Sequence, residues 1–98
     1  MSVQMGKSIY SSIKSKTEFL DFEDCNLDDD DGGLFIKYYL WKDDSNLNEE
    51  DLRRAINVMK EAKCVCEYLK IKFFECKVTY KEETESGAKM IFIYIQVI

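Results

Sequence analysis

Hydrophobic positions along this chain follow two different periods. In "LFIKYYLWK" (Leu34 to Lys42) they alternate, with Leu34, Ile36, Tyr38 and Leu40 on one side and Phe35, Lys37, Tyr39 and Trp41 on the other. Period two is the mark of a strand. After Asn48 the period changes. Leu52, Ala55, Ile56, Met59, Ala62, Cys66 and Leu69 recur three and four apart, which predicts one stripe of a long amphipathic helix. Asn48 is placed to cap it, and Glu49, Glu50 and Asp51 suit its positive first turn. Glu49 with Arg53 and Glu50 with Arg54 form i,i+4 pairs in the favourable order, and Lys70 suits the far end.

Strand patterns flank the helix. "EFLDFED" (Glu18 to Asp24) puts Leu20 and Phe22 on one side. "IKFFECKVTYK" and "KMIFIYIQVI" are β-branched and aromatic runs joined by a Ser86-Gly87 turn. The expected order is β-β-α-β-β. This is an α+β domain spanning residues 1–98, with a four-stranded, mainly antiparallel sheet and one long helix on one face. Residues 1–16 read as a short amphipathic helix or a loose arm.

One helix covers one sheet face. Alternation assigns Leu20, Phe22, Leu34, Ile36, Leu40, Phe74, Cys76, Val78, Ile91, Ile93, Ile95 and Val97 to it. Phe19, Phe35, Tyr39, Trp41, Phe73, Met90, Phe92, Tyr94 and Ile98 are left on the other side. So much apolar surface exceeds the few hundred Å² usual for a monomer's largest patch. Sheet-to-sheet packing in a homodimer is the expected cover, with Phe35, Tyr39, Trp41, Phe73, Phe92 and Tyr94 forming the dimer face. The segment around Ile9, Tyr10 and Ile13 is the alternative cover. A stacking platform for single-stranded nucleic acid is a third use, although "IKFFECKVTY" lacks the glycine–aromatic signature of ribonucleoprotein sheets.

Charge sharpens the picture. The net charge is −5, but residues 1–16 carry +3, residues 17–51 carry −11 and residues 52–98 carry +3. The acid centres on "DFEDCNLDDDDGG" (Asp21 to Gly33), with Asp43 and Asp44 beyond the strand. An EF-hand needs oxygen ligands at loop positions 1, 3 and 5, Gly at 6 and Glu at 12. Starting from Asp24, position 6 is Asp29 and position 12 is Phe35; starting from Asp28, position 12 is Tyr39. Both registers fail. Asp-Gly-Gly between alternating strands reads first as turn chemistry, kept solvated by Asp28, Asp29, Asp30 and Asp31.

Catalytic and metal chemistry find little support. The chain has no histidine, so the usual neutral-pH base and the commonest metal ligand are missing. Cys64 and Cys66 are spaced C-x-C in the helix, about 200° apart on its surface, and cannot share a metal without unwinding it. Cys25 and Cys76 read as unpaired thiols, the latter as a small hydrophobe. No glycine-rich phosphate loop occurs. The expectation is a protein that is no enzyme and holds no metal or cofactor. No apolar run reaches the roughly 20 residues that cross a bilayer. Cytoplasmic residence is expected, inside the host cell if the source is a virus.

The function this points to is interaction. Asp28, Asp29, Asp30, Asp31, Asp43 and Asp44 form an acidic candidate surface for a basic protein, such as a nucleic-acid-binding host factor. The most concrete version is a small acidic viral or phage antagonist that mimics nucleic acid, of the anti-CRISPR or nuclease-inhibitor type. Direct nucleic-acid binding through Arg53, Arg54, Lys60 and Lys63, or through the aromatic face, is the less favoured alternative in an acidic chain. A structural or virion component is the third.

Overall fold

A computed structural model describes residues 3–28 and 33–97. Helix α1 (Val3–Lys14) is followed by a 3₁₀ turn (Phe22–Asp24), strands β1 (Asn26–Asp28) and β2 (Gly33–Trp41), helix α2 (Glu49–Lys72), and strands β3 (Cys76–Glu85) and β4 (Ala88–Val97). The sheet order is β1-β2-β4-β3, with every neighbouring pair antiparallel. The α+β class holds, with three long antiparallel strands and one long helix.

The strand expected over Glu18–Asp24 does not form. Asp21 accepts the Glu23 N–H at 3.0 Å, and the Asp24 and Cys25 amides return to the carbonyls of Asp21 and Phe22. That local closure uses the backbone groups a strand would need. Among the described residues, three, Asn26–Asp28, occupy the outer position in the sheet, opposite Gly33–Phe35.

The N-terminal arm is a helix, and it belongs to the same layer as α2. Ile9 and Ile13 are fully buried in one core with Leu34, Ile36, Tyr38, Leu40, Ile91, Ile93 and Ile95. Lys16, just past α1, rests its ammonium 4.9 Å from the Tyr68 ring of α2. The helix layer therefore has two members, and α1 does not cover the aromatic face.

Helix α2 opens on a reciprocal cap. The Asn48 side chain accepts the Asp51 N–H at 2.8 Å, and the Asp51 carboxylate accepts the Asn48 N–H at 3.2 Å. Its buried line is Ala55, Val58, Ala62, Val65, Cys66 and Leu69, whereas Leu52 and Ile56 are about half exposed. The expected stripe thus lies slightly off the observed one. Ala55, Ala62, Cys66 and Leu69 belong to both, and exchanging Leu52 and Ile56 for Val58 and Val65 turns the stripe by about half of one residue's 100° step.

Helix α2 also runs on to Lys72, into the segment expected to begin β3. Phe73 caps it, donating its N–H to the Leu69 carbonyl at 2.9 Å. The strand starts at Cys76 and continues to Glu85. Ser86 and Gly87, both at positive φ (52° and 84°), make the two-residue turn into β4.

Candidate interaction surface

The outer sheet face follows from strand register, because directly opposed residues share a face. Across the central strand β4, Tyr94 pairs with Phe35 and Thr79, Phe92 with Lys37 and Lys81, and Met90 with Tyr39 and Glu83. Phe35, Phe92 and Tyr94 make one ring cluster with centroids 5.8 to 6.3 Å apart. Lys37 and Lys42 each rest about 5 Å from the Tyr39 ring, and Lys37 also lies 3.7 Å from Asp24. No described element packs over this face. Its aromatics are mostly covered and Met90 is 7% exposed, because these side chains lie against each other and under lysine stems.

Four of the six residues expected on the dimer face are there: Phe35, Tyr39, Phe92 and Tyr94. Two are not. Phe73 is 8% exposed within the core at the end of α2. A β-bulge between Tyr39 and Trp41 pairs Trp41 with Lys89, so Trp41 takes the side of Ile91, which faces the helices. There it packs against the core, with the Lys89 ammonium 5.6 Å from its ring. Phe19 also leaves the outer face, since its ring lies 5.6 Å beneath the Arg54 guanidinium of α2. Ile98 lies outside the described residues.

Sequence reading placed Lys77 on this face and missed the charges of β3 beyond it. Once the strand is known to extend to Glu85, period two puts Lys77, Thr79, Lys81, Glu83 and Glu85 in a row on the outer face. Lys81 and Glu83 pair at 3.0 Å. Alternation alone could have found them, had the strand been carried on through Glu82–Glu85 to the Ser86-Gly87 turn.

The six candidate aspartates do not form one patch. Asp28 ends β1 opposite Gly33, at one end of β2. Asp43 and Asp44 are exposed just past Trp41, at the other end. Eight residue steps at about 3.4 Å separate these ends by about 27 Å. Asp29, Asp30 and Asp31 lie outside the described residues. Near Asp44, a Cβ on Gly87 would come 3.1 Å from its carboxylate oxygen, which sets Asp44 against the β3–β4 turn beside Glu85. Asp43 accepts the Ser45 N–H at 2.9 Å, and that bond holds its carboxyl below the usual range.

The basic side of α2 is partly engaged. Arg53 pairs with Glu49 at 2.6 Å, and Arg54 reaches the Tyr39 carbonyl at 3.5 Å while stacking on Phe19. Lys60 and Lys63 are exposed.

Cys66 and Cys76 are buried, Cys25 is half-buried and Cys64 is exposed. Burial pushes the Cys25 thiol up to about 11. Among the described residues, no group of three His, Cys, Asp or Glu side chains is gathered as a metal site. No described helix is long and apolar enough to cross a membrane. The chain matches no protein-family model, no curated protein and no solved structure.

Proposed function

We propose that this protein is a non-catalytic interaction module that works as a homodimer. Its outer sheet face closes on a second copy, and its acidic ends meet a basic protein partner. One observation carries the dimer: Phe35, Tyr39, Phe92 and Tyr94 sit on the two central strands, β2 and β4, while both helices pack on the opposite face. Two ten-residue strands, one of nine and a short fourth give a face of roughly 500 Å² in projection. With its side-chain relief this approaches the roughly 800 Å² per partner of a standard interface.

The acidic reading rests on charge. The Asp43 and Asp44 end, with Glu49, Glu50 and Asp51 opening α2, would speed encounter with a basic groove as nucleic-acid phosphates do. An antagonist of a nucleic-acid-binding factor, viral or phage in type, is the concrete form of this proposal.

Light scattering at micromolar concentration tests the dimer. The expected mass is twice 11.6 kDa, and Phe92→Glu should return a monomer, because it sets a charge in the desolvated centre of the face. A wild-type mass of 11.6 kDa would sink the reading. A dimer that survives Phe92→Glu would move the interface off this face. Oligonucleotide binding at physiological salt, lost in Phe92→Glu, would replace the dimer by a stacking platform built on Lys37, Lys81 and the same rings.

A further inference from the structure

We infer that the two copies are related by a two-fold axis lying across the strands, so that β3 of one copy runs antiparallel over β3 of its partner. The inference rests on the proposed face-to-face dimer and adds its orientation. Two observations select it.

The first is the order of charge along β3. Its outer residues read Lys77, Thr79, Lys81, Glu83 and Glu85, basic in the first half and acidic in the second. Such a strand is complementary to itself only when reversed. Strand reversal sets Lys81 against the partner's Glu83 and places the partner's Glu85 over Thr79, between Lys77 and Lys81.

The register also places the axis. Over the row of Lys37, Phe92 and Lys81 it would bring lysine onto lysine. Between that row and the row of Tyr39, Met90 and Glu83, Lys81 meets the partner's Glu83, Phe92 meets the partner's Met90, and Lys37 meets the partner's Tyr39. Lys37 already lies 4.9 Å from the Tyr39 ring of its own chain, so the chemistry of that last contact is one this face uses.

The second observation is the shape of the sheet. Its two edges differ: β3 has ten residues and β1 has three. The other face-to-face two-fold, parallel to the strands, lays β3 over the partner's β1 edge. It then leaves the Lys81–Glu85 half of β3 beyond any facing strand. Strand reversal, with the axis so placed, lays Thr79–Glu85 over the same seven residues of the partner, so the charged half of β3 is faced.

Charge swaps with native mass spectrometry and light scattering test this. Lys77→Glu with Lys81→Glu makes β3 wholly acidic on its outer face, and Glu83→Lys with Glu85→Lys makes it wholly basic. Each half-swapped chain should dimerise at least about tenfold more weakly than wild type, since like charges then face each other. An equimolar mixture of the two should form the mixed dimer. The chain with all four substitutions keeps the net charge and restores self-complementarity, so its dimer should match wild type within about threefold.

A monomeric fourfold variant overturns the orientation, and so do half-swapped chains that dimerise as well as wild type. Those failures leave a dimer standing. A monomeric wild type is the distinct result that removes the proposed function itself.

Discussion

The carboxylate of Glu61, midway along α2, accepts the backbone N–H of Phe19 at 3.2 Å across 42 residues of sequence. It also accepts the N–H of Glu18, while Arg54, two turns earlier, lies over the Phe19 ring. One side chain thus holds the connection between α1 and β1 against the helix layer. Glu61→Ala leaves those amides without their acceptor and should cost about 1–3 kcal/mol. Tryptic cleavage after Lys16 should accelerate, with Glu61→Gln intermediate because its amide oxygen still accepts. Equal cleavage rates in all three proteins would show that Glu61 does not hold the segment.

Phe73 and Phe74 are adjacent, yet 8% and 81% exposed respectively. Phe73→Ala empties a core position and should cost about 3–5 kcal/mol, whereas Phe74→Ala should stay within about 0.5 kcal/mol. Urea midpoints of the two variants check this directly, and equal losses would contradict the assigned environments.

That pair also shows where sequence reading stops. Strands β2 and β4 were legible because alternation with β-branched and aromatic residues ran unbroken through them, and Phe35, Tyr39, Phe92 and Tyr94 followed. The helix start was legible from Asn48 and the acids after it. Between Ile71 and Glu75, however, an apolar run fits the end of a helix or the start of a strand equally well. The choice inverts Phe73 and Phe74. Trp41 was misplaced for another reason: a bulge changes parity, and nothing in "YYLWK" announces the inserted residue. At Glu18–Asp24 the strand pattern was present but lost to Asp21 and Glu61, whose hydrogen bonds are a matter of tertiary proximity and local turn chemistry.

The acidic ends should act separately. Asp43→Asn with Asp44→Asn should weaken binding of a lysine-rich probe peptide and lower its salt dependence, with the sheet face and its dimer unaffected. Neutralising Asp28 to Asp31 should add to that effect independently, because the described ends of β2 lie about 27 Å apart, beyond the Debye length of about 8 Å at physiological salt. Titrations at two salt concentrations measure both. Strong non-additivity would mean that one partner spans the two ends.

The thiols should separate by environment. Cys64 is exposed, Cys66 and Cys76 lie in the core, and the half-buried Cys25 thiol is pushed up to about 11. Reactivity needs both thiolate and access. Ellman's reagent at pH 8 should label one thiol quickly in the native protein and all four in denaturant, with the fast phase absent in Cys64→Ser. A second fast thiol would show that the segment holding Cys25 opens.

Alkali should unfold the protein, and the direction follows from which groups are raised. Cys25 rises from 9.0 to about 11 and Tyr80 from 10.0 to about 12, burial being the first cause of each. Tyr10, Tyr38, Cys66 and Cys76 are raised for the same first reason. These groups are neutral when protonated, and the folded state keeps the proton longer. Below about pH 9 both states hold it, and the stabilisation is fully present. As pH rises from 9 toward 11 and 12 the unfolded chain releases protons the folded chain retains, so stability falls. A single group within its window removes at most about 1.4 kcal/mol per pH unit, and solvent screening makes the effect of the more exposed Tyr80 much smaller. Lys37, Lys70 and Lys81, raised from 10.5 first by hydrogen bonds to Tyr39, Glu67 and Glu83, act in the same sense higher up. Urea midpoints should therefore fall steadily from pH 9 to 10.5, and Cys25→Ala should make the early part of that fall shallower. A midpoint at pH 10.5 equal to that at pH 8 would mean these groups are as solvated in the folded chain as in the unfolded one.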